Sequence, residues 1–244
     1  MLPAVFAAAA AAVLIAALRP LSPPHPFAAS RLLLVTAHPD DECLFFAPTL
    51  LTLPDHQHLY SLTLSIGNAD GLGEVRKREL QDSLDVLGIA RDRRWVVDHP
   101  LLQDNITQFW DADVVAHVLR PYVLEHKIDT ILTFDDRGVS GHPNHRSLPS
   151  GVQQLIDSWD GVPRPRLFSL VSVPLATKYI GVLSALIAKL KGSEQVFVAG
   201  MGEYWQAVQA MRRHSSQMRW FRYLYVLHSR YMWVNEWCTE TLKN

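Results

Sequence analysis

Two short clusters hold the side chains best suited to chemistry. The first is Thr36-Ala37-His38-Pro39-Asp40-Asp41-Glu42. The second runs from Phe134 to His145 and contains Asp135, Ser140, His142, Asn144 and His145. His38 and Asp41 are three residues apart, so both can converge on one point from a strand-to-helix turn. His145 offers a third ligand. Two imidazoles and one carboxylate suit a zinc ion and leave an open position for water. Such an ion lowers the pKa of its water toward about 7 and polarises a carbonyl. Asp40, adjacent to a ligand but aimed elsewhere, is then placed to take the water's proton. His142 is placed to face a developing oxyanion or a leaving amine. The competing reading is structural, because His-Pro and Asp-Asp pairs are also favoured in ordinary turns and the chain has 11 histidines. The position of both clusters at strand ends favours the metal. The same ligand types also accept iron, manganese or cobalt.

The elements that must position these clusters follow from periodicity. Short apolar runs predict strands at Arg31–Thr36, Leu59–Ile66, Trp95–Asp98, Asp129–Phe134, Leu167–Val173 and Val196–Ala199. Helical spacing predicts helices at Glu42–Leu53, Gly73–Leu87, Ala112–His126 and Arg146–Trp159, with Asp111 as an N-cap. Repeated strand–helix units imply an α/β fold with a Rossmann-like, mostly parallel sheet and helices on both faces. Such sheets bind ligands beyond the carboxyl ends of their strands, where both clusters fall. No G-x-G-x-x-G or P-loop pattern follows a strand, which argues against a nucleotide cofactor.

Composition narrows the field further. The 244 residues carry 23 basic and 24 acidic side chains, so there is no basic footprint for nucleic acid. Two cysteines, Cys43 and Cys238, exclude a disulfide scaffold. Residues 2–18 carry no charge and, as a helix, would reach roughly 25 Å, near the ~27 Å core of a thin bilayer. A membrane anchor over residues 1–19 is the expected reading. A cleaved signal is less favoured because no Lys or Arg precedes the run, although Ala28-Ala29-Ser30 resembles a cleavage region. Arg19 and Arg31 lie after the run and place the body in the cytosol. Residues 20–30 read as a Pro-rich spacer and 31–244 as the folded domain. Residues 204–235 contain five arginines and no Asp or Glu, interleaved with aromatics. That pattern suits either a membrane-surface contact within 174–244 or ordinary packing against the sheet.

At the quoted motifs the chain resembles the PIG-L / LmbE-like zinc-dependent de-N-acetylases. The resemblance rests on His38-Pro39-Asp40-Asp41-Glu42, Ser65-Ile66-Gly67-Asn68, Gly73-Glu74-x-Arg76-x-x-Glu79-Leu80, Asp85-x-Leu87-Gly88-Ile89 and Gly138-Val139-Ser140-Gly141-His142-x-Asn144-His145. It covers roughly residues 31–160. It implies His38, Asp41 and His145 as metal ligands, Asp40 as general base and then acid, and His142 as stabiliser of the tetrahedral intermediate. Arg76 would contact substrate, against the alternative of a solvated helix face. Glu42 reads as structural, and Asp135 as a hydrogen-bond partner of a site histidine. The implied activity is removal of acetate from N-acetylglucosaminyl-phosphatidylinositol, an early step of GPI-anchor synthesis at the endoplasmic reticulum membrane. Two alternatives stand beside it: a deacetylase of a soluble N-acetyl sugar or small amide, and a catalytically silent membrane scaffold.

Overall fold

The computed structural model describes residues 18–23, 27, 31–53, 58–192 and 195–239. A seven-stranded sheet has the order β3-β2-β1-β4-β5-β7-β6. The strands are β1 (Leu32–Thr36), β2 (Leu59–Thr63), β3 (Arg94–Val96), β4 (Thr130–Phe134), β5 (Arg166–Leu170), β6 (Val196–Val198) and β7 (Val234–Thr239). The first five are parallel, and β7 runs antiparallel to both β5 and β6. β1 and β4 are buried along their whole length. That is why LLLVT and TILTF read as apolar runs rather than alternating patterns.

The helices of five or more residues are α1 (Asp41–Phe45), α2 (Ala47–Thr52), α3 (Gly73–Val86), α4 (Ala112–Glu125), α5 (Pro143–Asp157), α6 (Leu183–Lys191), α7 (Met201–Arg213) and α8 (Trp220–His228). α4 packs on α5, while α7 packs on α1, α2 and α3. Gly151 permits the first contact, because a Cβ there would lie 2.2 Å from Val115 Cγ1. Asp111 caps α4 as expected, its carboxylate accepting from the Asp113 and Val114 amides.

Three expectations change. The predicted helix 42–53 is two short helices that break at Phe46. The helix expected from Arg146 begins at Pro143, where His142 is its N-cap, so His145 sits in a helical first turn. β7 and helices α6 to α8 had no counterpart among the expected elements. The expected anchor, residues 2–18, lies almost wholly outside the described residues. Among the described residues no helix is long and apolar enough to cross a membrane. In the stretch read as a spacer, Leu21 pairs with Val198 through two backbone hydrogen bonds, and buried Phe27 meets Phe168, Phe197 and Trp237.

Candidate metal centre and active site

β1 is flanked by β2 on one side and β4 on the other, so the chain leaves β1 and β4 in opposite directions. That reversal opens a crevice at the strand ends. The loop after β1 carries His38, Asp40 and Asp41. The loop and helix start after β4 carry His142 and His145. The structure brings all five together.

Asp41 is fixed by its own turn. Its Oδ2 accepts from the Ala37 and His38 amides at 3.0 and 2.9 Å, and Oδ1 faces His145 Nε2 at 3.2 Å. Burial opposes its charge, but His145 and those hydrogen bonds hold the carboxyl well below the usual range. His145 lies flat on Phe134, with ring centroids 4.2 Å apart. Its Nδ1 donates to the Gly138 carbonyl at 3.2 Å, which aims Nε2 at Asp41. Burial works against a charged His145, yet the Asp41 carboxylate and the Gly138 carbonyl raise its pKa overall. His145 Nε2 and Asp41 Oδ1 thus face each other across the site, each favouring the charged form of the other. A divalent cation would take the place of a proton on His145 Nε2.

His38 Nε2 faces two acceptors, Asn144 Oδ1 at 2.9 Å and Asp104 Oδ1 at 3.3 Å. The proton therefore sits on Nε2, and Nδ1 keeps its lone pair for a metal. Burial lowers the His38 pKa to about 4, so the ring is neutral near pH 7. His142 accepts the Asn144 amide on Nδ1 at 3.2 Å, leaving Nε2 with the proton. Burial, and then the neighbouring His145, depress its pKa as well. Ligand atoms of His38, His142 and His145 all lie within 4.8 Å of one another. His38, His145 and the Asp41 carboxylate are buried donors that fit a divalent ion, and the half-buried His142 stands beside them, free for another task.

Asp40 adopts φ 101°, a left-handed backbone that Asp and Asn tolerate better than most side chains. Its amide donates to Glu42 Oε2 at 3.0 Å, and its Oδ2 accepts from Arg222 Nη2 at 2.9 Å. Burial raises its pKa, opposed by Arg222 and then Arg76. Glu42 is fully buried. Its Oε1 accepts from Ser83 and meets His214 Nε2 at 2.7 Å. Burial resists both charges of this pair, but the mutual attraction lowers Glu42 and raises His214.

Arg76 lies beside the site and is only 8 % exposed, so it does not belong to a solvated helix face. Its Nη1 donates to the Gly67 carbonyl at 2.9 Å and to Asp104 Oδ2 at 3.1 Å, and Nη2 donates to the Pro39 carbonyl at 2.8 Å. One guanidinium therefore ties together the loops after β1, β2 and β3. Gly67 admits it, since a Cβ there would fall 2.5 Å from Nη1. Asp135 does not reach a histidine. It accepts from the Arg137 and Gly138 amides and from Ser172, and so shapes the loop whose Gly138 carbonyl orients His145.

Two contributors, Asp104 and Arg222, were not legible as site residues in the sequence, and neither was the role of a third, Asn144. Asp104 bridges His38 and Arg76 from a loop with no motif. Arg222 reaches Asp40 across 182 positions of sequence. Asn144 anchors the Gln108 carbonyl and the Asn105 amide, as well as His38. Only Asn144 carried a usable signal, because it stands between two site histidines.

The family described as PIG-L: GlcNAc-PI de-N-acetylase matches residues 33–156. The chain is 42% identical over 211 residues to the N-acetylglucosaminyl-phosphatidylinositol de-N-acetylase of Bos taurus, covering 86% of this chain and 83% of that protein. It is 36% identical to the probable N-acetylglucosaminyl-phosphatidylinositol de-N-acetylase of Schizosaccharomyces pombe, covering 84% and 85%. Among solved structures, the fold is similar to N,N'-diacetylchitobiose deacetylase from Pyrococcus horikoshii. The TM-score is 0.63 at 14% identity, covering 90% of this chain and 87% of that one.

Proposed function

Since the chain belongs to the PIG-L, GlcNAc-PI de-N-acetylase family, we propose that it hydrolyses the N-acetyl group of N-acetylglucosaminyl-phosphatidylinositol. The products are glucosaminyl-phosphatidylinositol and acetate. The observation that carries this reading is the convergence of three imidazoles and two carboxylates at the β1/β4 crevice. His38, Asp41 and His145 would hold the divalent ion, with zinc the expected one. When bound, it supplies an acidified water at neutral pH and polarises the acetamide carbonyl. Asp40 takes the proton of the attacking water and returns it to the departing amine. A carboxyl raised by burial yet steadied by Arg222 and Arg76 suits both transfers. His142, neutral with its proton on Nε2, donates to the oxygen that gains charge as the tetrahedral carbon forms. Arg76, expected to contact substrate, has its guanidinium turned onto Gly67, Asp104 and Pro39, so its part in this reading is to fix those three loops.

Residues 2–18, followed by Arg19 and Arg31, support an anchored protein whose body faces the cytosol at the endoplasmic reticulum, where GPI-anchor synthesis begins. The test is acetate release from the glycolipid by purified protein. Release is expected to stop on chelation and in His38→Ala. Full activity in a sample shown to be metal-free would sink the mechanism. Equal rates on a lipid-free N-acetylglucosaminyl headgroup would favour a soluble substrate instead.

A further inference from the structure

One face of the molecule leaves its apolar side chains uncovered. On α8, Trp220 is 75 % exposed, Leu227 60 % and Leu224 51 %, with Phe221 and Tyr223 also exposed. Val226 is the helix's one buried residue. Tyr179, whose ring meets Tyr225 of α8, is exposed as well, as are Leu175, Leu183 and Leu190 in the 175–190 segment. The two segments touch at Tyr179 and Gly181. The Gly181 amide donates to the His228 carbonyl at 2.7 Å, and the Tyr179 and Tyr225 rings meet edge to face at 6.3 Å. A groove of about 460 Å³ opens there, walled by Tyr179, Trp220, Phe221 and Leu224.

Charge complements this surface. Lys191, Arg212, Arg213 and Arg219 are the exposed cations of residues 175–192 and 204–235, while Lys178 is buried on the Val139 carbonyl, Arg222 pairs with Asp40 and Arg230 with Glu236. Neither stretch contains an Asp or Glu. Apolar patches of this extent mark interaction sites. Aromatics mixed with cations suit the headgroup layer, and the absence of acids favours anionic lipid. The surface also ends at the reaction site. Arg222 leaves α8 to meet Asp40 at 2.9 Å, and the Tyr225 hydroxyl donates to the Leu44 carbonyl in α1.

The geometry points to a lipid-docking face: α8 and the 175–190 segment rest in the headgroup layer of a bilayer containing anionic phospholipid, and Arg222 joins that layer to Asp40. This rests on the glycolipid reading above, because a substrate held in a bilayer must be met at its surface. A second copy of the chain or an apolar protein is the competing occupant.

The test uses the full chain. Vesicles of phosphatidylcholine with brominated acyl chains, with and without phosphatidylinositol, should quench tryptophan fluorescence. Quenching should be stronger with phosphatidylinositol and largely lost in Trp220→Phe. Residues 2–18 contain no tryptophan, so they add no signal of their own. The double variant Leu224→Glu, Leu227→Glu should release acetate from vesicle-borne glycolipid about tenfold or more slowly. Its melting temperature and its rate on the lipid-free headgroup should match wild type. Quenching indifferent to Trp220→Phe, or wild-type rates on vesicles by the double variant, would overturn the proposal. So would a dimer that the double variant dissociates while lipid quenching is absent. If wild type releases acetate from neither substrate, the proposed activity fails, while the quenching experiment still decides the docking face.

Discussion

Asp41 and Trp220 stand at opposite ends of one line of contacts and are built by opposite rules. Asp41 is buried, each carboxylate oxygen has a partner, and its neighbours are fixed in turn by Glu42, Asn144 and the Gly138 carbonyl. Trp220 is open to solvent, with the exposed Phe221 ring as its close aromatic neighbour. The metal end needs fixed atoms, because catalysis rewards groups already aimed where charge will develop. The α8 end needs only apolar area and positive charge, which tolerate many arrangements. On the readings proposed above, geometry carries the function at one end and composition at the other.

Substitutions can break or sharpen this contrast. The largest effect belongs to the metal end. Asp40→Asn should lower kcat by about 10²–10⁴-fold, as expected for a lost general acid–base group, with metal content unchanged by elemental analysis. His142→Ala should cost about 10²–10³-fold, read by the same acetate assay. If both variants keep wild-type rates, the fixed geometry has no catalytic purpose.

Next comes the buried pair beneath Asp40. His214→Gln leaves Glu42 without its charged partner and should destabilise the fold by about 3–5 kcal/mol. Its pH dependence has a definite sign. Glu42 is depressed, so its contribution is present above the ordinary 4.5 and lost as pH falls through the lower folded value. His214 is raised, so its contribution is full below the ordinary 6.5 and lost as pH rises through the higher folded value. The melting-temperature gap between wild type and His214→Gln should therefore be widest between 4.5 and 6.5. A gap that stays constant from acid to alkaline pH would mean that the pair carries no charge.

The smallest effect belongs to α8. Leu227→Ser should change unfolding free energy by no more than about 0.5 kcal/mol, because the side chain already faces water. Leu50→Ala, in the core of α2, should cost about 2–5 kcal/mol in the same denaturation experiment. A large loss in Leu227→Ser would show that α8 is part of the core and would erase the contrast.

The same division explains what the sequence revealed. β1, β2 and β4 are apolar because both their faces are covered, and His38, Asp41, His142 and His145 stand within a few residues of strand ends. Local chemistry and local position agree there. β7 was hidden because Val234–Thr239 lies in an aromatic stretch with no turn signal, and it pairs antiparallel with distant β5 and β6. Asp104 and Arg222 were illegible as site residues for a related reason. Their partners are made adjacent only by the folded sheet and helices, and no spacing in the chain encodes such contacts. Arg76 was visible as an arginine near the site, but its run of neighbouring charges concealed that it is buried.

Arg76 also bears on how such a protein can be remodelled. Its guanidinium closes on Pro39, Gly67 and Asp104, so three surface loops behave as a single part. An engineer who transplants the 98–111 loop from a relative to change substrate preference must supply an acceptor at position 104. The turn at Gly67 must also be kept free of a side chain. A graft that ignores either condition would disturb the Pro39 turn and, through it, the aim of Asp40. Loop exchange in this scaffold is therefore a three-part operation.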